Sequence, residues 1–223
     1  MKLILKPFLI TTLIFAFFQI SAQEIGINGG LNLSSMSYKH YSDGFNYKLG
    51  YQLGINANLP ISNGYLITIE TNIIQRKINY NGPPFPHMLV EGIISKVETE
   101  SNRWYFEIPI LFKKEFNLND TKFYGEVGPY AGIGFSGEYN NKYISISNEI
   151  WAEESGEIKW GTSEGEIKRY DLGIAIGFGI LVNKLTIGLS YEHGLINILN
   201  EGENKSKNKA FMLNFSYPLF SLK

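Results

Sequence analysis

The chain has 223 residues, of which 44% are hydrophobic, 14% aromatic and 18% charged, which suits one all-β domain or two small ones. Its net charge of −1 gives no reason to expect a nucleic-acid surface, and the absence of cysteine excludes disulfides, thiolate metal sites and a cysteine nucleophile. Abundant glycine, tyrosine and phenylalanine favour strands and turns over packed helices.

The N-terminus has the three regions of a secretory signal peptide. Lys2 and Lys6 precede the apolar run FLITTLIFAFF, and the small-residue stretch QISAQ follows it. The uninterrupted apolar run, from Phe8 to Phe18, is shorter than the roughly 20 residues that a spanning helix needs, which argues against an uncleaved anchor. We predict a signal peptide over 1–22, cleaved after Ala22, and a single exported domain over 23–223.

Eight later segments alternate apolar and polar residues with the period of a β-strand. In the fourth, Trp104, Phe106 and Ile108 share one parity, while Glu107 and Lys113 take the other. The segments, in chain order, are EIGINGGLNLSS, YKLGYQLGINANLP, YLITIETNI, WYFEIPILFKK, FYGEVGPYAGIGFSG, RYDLGIAIGFGI, LTIGLSYEHG and AFMLNFSYPLF.

The connections between these segments alternate in length. Turn-forming PISNG, NLND and VNK are short, and polar stretches near 35–46, 79–102, 137–166 and 200–208 are long. Short turns on one rim and long loops on the other are typical of an outer-membrane barrel. We therefore predict an all-β fold, an eight-stranded antiparallel transmembrane up-and-down β-barrel with short periplasmic turns and long extracellular loops.

Residue size indicates which face of the strands lies inside. A soluble exported barrel would bury the aliphatic face, whereas a membrane barrel turns that face to lipid and keeps the polar face inside. The polar faces are rich in Gly, Asn and Ser, as a narrow interior requires. This pattern favours the membrane barrel and predicts that Glu107 points inward.

Several charged residues share the inward parity and predict an interior ion network. If the turn between the fourth and fifth strands lies in LNDT, Lys113 lies directly opposite Glu126 on the neighbouring strand, where opposite charges attract. A water-filled lumen that hydrates these groups is the alternative. The predicted members are Lys48, Glu70, Arg76, Glu107, Lys113, Glu126, Arg169, Asp171 and Glu192.

The long connection over 137–166 is the candidate partner loop. It contains seven acids and two lysines, and residues 143–150 and 157–160 could pair as a hairpin across EESG. Such a hairpin would display Trp151 and Trp160 beside Glu153, Glu154 and Glu157, which suits a cationic partner, a divalent ion or a glycan. A solvated loop without a partner is the alternative.

The chain also resembles the PorT-type outer-membrane β-barrel family. The resemblance rests on WYFEIPILFKKEF, FYGEVGPYAGIGF, YDLGIAIGFGI, YEHGLINI and FSYPLF in this order, with Phe106 where leucine is commoner. It implies an eight-stranded barrel in a Gram-negative outer membrane, in a family of which one branch serves protein secretion and gliding.

The sequence gives little support for an enzymatic activity. His40, His87 and His193 have no metal-ligand spacing, and the HYSD sequence at 40–43 is not by itself a catalytic triad. No cofactor motif is present, because the glycine-rich stretches lie within strands and open no helix. We expect a non-enzymatic, monomeric barrel with a structural or partner-docking role through its loops or periplasmic rim. A small-solute channel and a component of a secretion apparatus are the alternatives.

Overall fold

The computed structural model describes residues 24–38, 44–84, 93–119, 121–163, 165–199 and 205–221. The predicted signal peptide, His40 and His87 lie outside these residues. No helix within the described ranges is long and apolar enough to cross a membrane.

Nine strands make up the described fold. They are β1 (Glu24–Tyr38), β2 (Phe45–Ser62), β3 (Tyr65–Gly82), β4 (Ile94–Leu118), β5 (Thr121–Ser145), β6 (Ile150–Glu157), β7 (Tyr170–Val182), β8 (Leu185–Gly194) and β9 (Ser206–Ser221).

Eight of these strands close a ring, as the alternating segments predict. Every pairing between neighbouring strands is antiparallel, β1 pairs with both β2 and β9, and β5 pairs with both β4 and β7. Strand β6 lies outside the ring and pairs with the distal part of β5. Closure leaves no open sheet edge at membrane depth, which is the condition for strands to cross lipid.

The three short turns fall where the sequence predicts them. Ser62 pairs with Tyr65, Leu118 with Thr121 and Val182 with Leu185. The positive φ angles of these turns, 51° at Asn63, 78° at Gly64, 54° at Asn119 and 57° at Asn183, match the left-handed conformations that tight hairpins require.

The outer face of the ring is apolar and the inner face is polar over much of its height. Along β7 exposure alternates strictly through Phe178, with Asp171 buried between Tyr170 and Leu172. In β4, Glu107 is fully buried, whereas the large apolar residues of the other parity are exposed: Phe106, Ile108, Ile110 and Phe112. The predicted inward orientation of Glu107 is confirmed.

The wall of the barrel continues well beyond the membrane on the long-loop side. Strands β4 and β5 have 25 residues each, which corresponds to about 85 Å along the strand. A tilted strand needs only ~10 residues to cross the hydrocarbon layer. The distal parts of β3, β4 and β5, together with β6, therefore stand above the membrane.

The interior is less uniformly polar than the sequence predicts. Toward the extracellular end it holds a set of buried apolar side chains: Met36, Tyr38, Ile74, Ile78, Tyr80, Val97 and Ile198. The segments after β6 and β8 contribute to two of these clusters: Trp160 packs beside Ile74, and Ile198 and Leu199 pack with Met36, Tyr38 and Ile78. Tyr80 and Val97 pack instead with Phe45 and Tyr143 of the strands themselves.

Candidate functional site

An arginine with two carboxylates occupies the middle of the barrel. The Nη2 atom of Arg76 lies 2.5 Å from Oε2 of Glu107 and 2.5 Å from Oε2 of Glu192, and donates a hydrogen bond to each. All three side chains are buried. Buried charges are stable only when they are paired or hydrated. Here the neighbouring strand β4 supplies Glu107, and β8, on the other side of the ring, supplies Glu192.

A second carboxylate site adjoins this cluster. Asn208 donates a hydrogen bond of 2.8 Å from Nδ2 to Oδ2 of Asp171, and the Tyr130 hydroxyl approaches the same oxygen at 3.4 Å. The Tyr130 ring also lies under the Arg76 guanidinium, with 5.7 Å between Cζ and the ring centroid. Tyr130 thus links the arginine to the aspartate.

Nearer the periplasmic turns, Lys113 and Glu126 form the predicted cross-strand pair. They are register partners in β4 and β5, and Lys113 Nζ lies 3.1 Å from Glu126 Oε2. Glu70 is nearby in the polar interior, where its Oε2 accepts hydrogen bonds from Asn28 (2.9 Å) and Asn72 (3.0 Å). The alternation of the sequence therefore places the Lys113–Glu126 pair and Glu70 in the interior, where the structure has them.

Two predicted members of the interior network lie elsewhere. Lys48 pairs with Glu100 at 3.2 Å on the extracellular wall, where the side chains are 45% and 67% exposed. An irregularity in the β2–β3 pairing between Tyr47 and Gln52 separates Lys48 from the regular register, so parity counted along β2 does not place it inside. Arg169 precedes β7, is exposed and makes no ion pair among the described residues.

One buried cation was missed. Arg103 is 4% exposed and has the same strand parity as Glu107, so the β4 alternation could have found it. It pairs in register with Arg76, and its Nε donates a 2.9 Å hydrogen bond to Ser101 Oγ.

Trp160 packs into the barrel mouth, so the prediction that it is displayed is wrong. Its ring stands edge-on to Tyr105 with 5.7 Å between centroids, and it packs against a buried apolar cluster. A Cβ atom at Gly134 would lie 2.3 Å from this ring, which explains the glycine there. Isolated bridges from Trp160 to Ile167 and from Ile167 to Leu199 hold the infolded segments together. Trp160, Ile167 and Leu199 together form an apolar layer at the mouth.

The extracellular hairpin exists, but its predicted turn is wrong. β6 pairs with residues 138–144 of β5, and the turn lies at 146–149, where Asn148 has a φ of 63°. Ser145 N donates to Glu149 O at 2.9 Å and closes the turn. The predicted turn sequence EESG instead lies within β6, where its four residues pair in register with residues 139–142 of β5.

Those carboxylates are held in two different ways. Glu153 Oε1 accepts a 3.0 Å hydrogen bond from Asn140 and lies 3.6 Å from Lys142 Nζ, and both contacts lower the pKa of Glu153. Glu154 accepts a 3.0 Å hydrogen bond from the Tyr139 hydroxyl, which raises the pKa of that tyrosine.

The remaining two candidate loop residues are on the surface. Trp151 is 51% exposed, and Glu157 is exposed beside its register partner Glu138. Within the described ranges, no group of three His, Cys, Asp or Glu side chains is placed to hold a metal ion.

A closed antiparallel ring with an apolar outer face and a charged, hydrogen-bonded interior defines a transmembrane β-barrel. Residues 18–200 match the family described as outer membrane protein beta-barrel domain, and the chain belongs to that family. The protein is accordingly an outer-membrane protein.

Comparison with solved structures finds other outer-membrane proteins at low identity. Ail, the attachment invasion locus protein of Yersinia pestis, is 17% identical, with 88% of this chain and 98% of Ail covered and a TM-score of 0.39. Neisserial surface protein A is 9% identical (87% and 97% covered, TM-score 0.43), and OprG from Pseudomonas aeruginosa is 12% identical (90% and 98% covered, TM-score 0.38). No curated protein sequence matches the chain.

Proposed function

We propose that this protein is a non-enzymatic, monomeric outer-membrane barrel that docks a protein partner on its extracellular wall. The signal peptide over 1–22 would export it, and residues 23–223 would form the membrane domain. The observation that carries the proposal is the β5–β6 hairpin, which projects beyond the barrel ring.

Strand β6 supports docking because one of its edges is open. Among the described strands it pairs with β5 alone, so its other edge has no strand partner. An extended segment of another protein can add to such an edge through main-chain hydrogen bonds. Ile150 and Trp151 are 60% and 51% exposed on this strand and offer apolar contacts.

The charge of the hairpin favours a basic partner segment. Glu153, Glu154 and Glu157 lie on β6, whereas Lys142 is the basic residue of the paired stretch of β5. Complementary charge steers association and disfavours acidic competitors. Charges on an edge strand also prevent indiscriminate pairing, which would give the acids a purely protective role if no partner exists.

The filled interior argues against the channel alternative. The Arg76 cluster spans the middle of the lumen, and Trp160 packs inside the mouth. Eight-stranded barrels commonly have an interior that side chains fill. The PorT-type resemblance keeps a component of a secretion apparatus as the second candidate, in which case the docked partner belongs to that apparatus.

A shortened hairpin tests the docking role. Asn141 and Glu154 are register partners, so replacing residues 142–153 with Asn-Gly reconnects the strands at a paired position. We expect the variant to keep heat-modifiable mobility on gels, and to lose the proteins that copurify with the parent after crosslinking in cells. The matched control changes the exposed Arg169 to Gln and leaves the hairpin intact.

Two results would contradict the proposal. If the shortened variant retains every copurifying protein, the hairpin is not the docking site. If the parent gives discrete conductance steps in planar bilayers, the interior is open and the channel alternative is favoured.

A further inference from the structure

A cavity of about 370 Å³ lies inside the extracellular mouth, above the Arg76 cluster. This volume lies within the range of small-molecule sites. Its apolar lining includes Met36, Phe45, Ile78, Ile158 and Leu199. Such walls favour a ligand with an apolar body, because they gain little from contact with water.

Arg103 also lines this cavity, and among the cavity-lining residues of β4 it lies farthest from the extracellular end. The other cavity-lining residues of that strand, Thr99 and Ser101, lie closer to its extracellular end. Arg103 is 4% exposed, and its Nη1 atom has no hydrogen-bond acceptor among the described residues. Its Nε atom bonds to a neutral hydroxyl, that of Ser101.

The neighbouring carboxylates do not pair with Arg103. Glu107 and Glu192 both bond to Arg76, its register partner, and within the described ranges no carboxylate oxygen lies within 4.0 Å of the Arg103 nitrogens. A buried guanidinium without an anion is costly, and planar anions such as carboxylates match its geometry. The arginine therefore provides an anchor for an anionic group that enters the cavity.

The carboxylates at the mouth restrict the charge of that ligand. Glu154 and Glu157 also line the cavity, with Lys159 beside them. A molecule with several negative charges would place some of them near these two acids, whereas a single deep charge would contact Arg103. The site thus favours one negative charge on an apolar body over a polyanion.

We propose that this cavity binds a small organic monoanion, with its carboxylate on Arg103 and its aromatic or aliphatic body against the apolar walls. The cavity lies on the inner side of the docking hairpin, because Glu154 and Glu157 of β6 are part of its lining. Its occupancy does not depend on a protein partner.

The test uses the full barrel in lipid nanodiscs and fluorine NMR of two soluble probes. Para-(trifluoromethyl)benzoate carries the charge, and para-(trifluoromethyl)benzyl alcohol is its neutral counterpart. We expect saturable binding of the benzoate and at least about tenfold weaker binding of the alcohol, because only the anion pairs with the buried guanidinium. An excess of inorganic phosphate should not displace the benzoate, since phosphate lacks the apolar body.

Three variants locate the binding. Arg103→Gln should weaken benzoate binding about tenfold or more, whereas Arg169→Gln, which removes an exposed arginine, should bind like the parent. Thr99→Trp fills the cavity without changing Arg103 and should also abolish binding. Heat-modifiable mobility checks that each variant is folded, and Thr99→Trp keeps the test decisive if Arg103→Gln does not fold.

Several results would overturn the proposal. Equal affinity for the two probes would show that the negative charge does not contribute to binding. Displacement by phosphate would indicate a site for inorganic anions only. Unchanged binding in a folded Arg103→Gln or Thr99→Trp variant, or no saturable binding to the parent, would each exclude this cavity as the site.

Discussion

Replacing Arg76 with methionine tests whether the centre of the barrel is a dry ion cluster. Methionine keeps an unbranched side chain beside Tyr130 but removes both hydrogen bonds of Nη2 and the charge. A hydrogen bond to a charged group contributes roughly 1.5 to 3 kcal/mol, and removing one partner of a buried ion pair costs roughly 3 to 5 kcal/mol. We expect Arg76→Met to lower the free energy of unfolding by about 3 to 5 kcal/mol, because Glu107 and Glu192 stay buried without their cation.

A triple variant separates the unpaired charges from the lost contacts. The triple variant Arg76→Met, Glu107→Gln, Glu192→Gln removes all three charges of the cluster together, so neither carboxylate stays buried without its cation. We expect stability to return to within roughly 1 to 2 kcal/mol of the parent, since removing all partners of a buried ion cluster is often nearly neutral. Arg169→Gln is the control for loss of an exposed positive charge and should change stability by less than about 0.5 kcal/mol.

The assay is reversible urea unfolding in lipid vesicles, followed by tryptophan fluorescence and by gel mobility. If Arg76→Met costs less than about 1 kcal/mol, the cluster behaves like an exposed ion pair and the lumen is hydrated. If the triple variant is as unstable as the single one, the loss comes from packing and the argument from buried charge is wrong.

The remaining predictions concern the lipid face, the mouth and the hairpin. Ile108→Arg should cost roughly 2 to 4 kcal/mol in the same unfolding assay, and Leu185→Arg, beside a periplasmic turn, at most about 1 kcal/mol; equal costs would contradict the predicted membrane depth. Trp160→Ala should destabilise the barrel by about 2 to 4 kcal/mol, because the ring packs in the mouth, whereas a surface loop tryptophan would cost little. The hydrogen bond from Asn140 and the charge of Lys142 lower the pKa of Glu153 in the folded hairpin. The ionised Glu153 therefore stabilises the hairpin fully above the ordinary carboxyl pKa of 4.5, and this stabilisation is lost as the pH falls from 4.5 through the lowered pKa. The protection factors of the β6 amides, corrected for the intrinsic pH dependence of exchange, should fall over that acidic range in the parent. Glu153→Gln should lack this pH-dependent fall; identical pH profiles of protection would refute the assignment.

Strand alternation determined the ring, the lipid face and much of the interior. A period of two gives each strand two faces, and the turn sequences fix the register of adjacent strands. The pairing of Lys113 with Glu126 follows from these two local properties and is present in the structure. Glu107 and Asp171 point inward for the same reason.

The extracellular half depended on contacts that strand periodicity does not encode. The pairing irregularity in β2 interrupts the simple parity count along that strand, and so does the unpaired Phe135 in β5, where Trp104 pairs with Ser136 and Tyr105 with Gly134. Lys48 therefore lies on the wall. The glycine of EESG predicts the β5–β6 turn too far along the chain, because Asn148 and the Ser145–Glu149 hydrogen bond close the turn earlier.

The sequence by itself determined that the strands close into a barrel with lipid outside, because alternation and turn chemistry are local. Only the tertiary structure decided what fills the mouth and which charges pair there. Trp160 is distant along the chain from Tyr105 but packs against it. Arg76 bonds to both Glu107 and Glu192, whereas Arg103, its register partner, bonds to no carboxylate in the described part of the chain. The physical reason is that apolar burial and ion pairing depend on distances across the lumen, which a linear pattern does not specify.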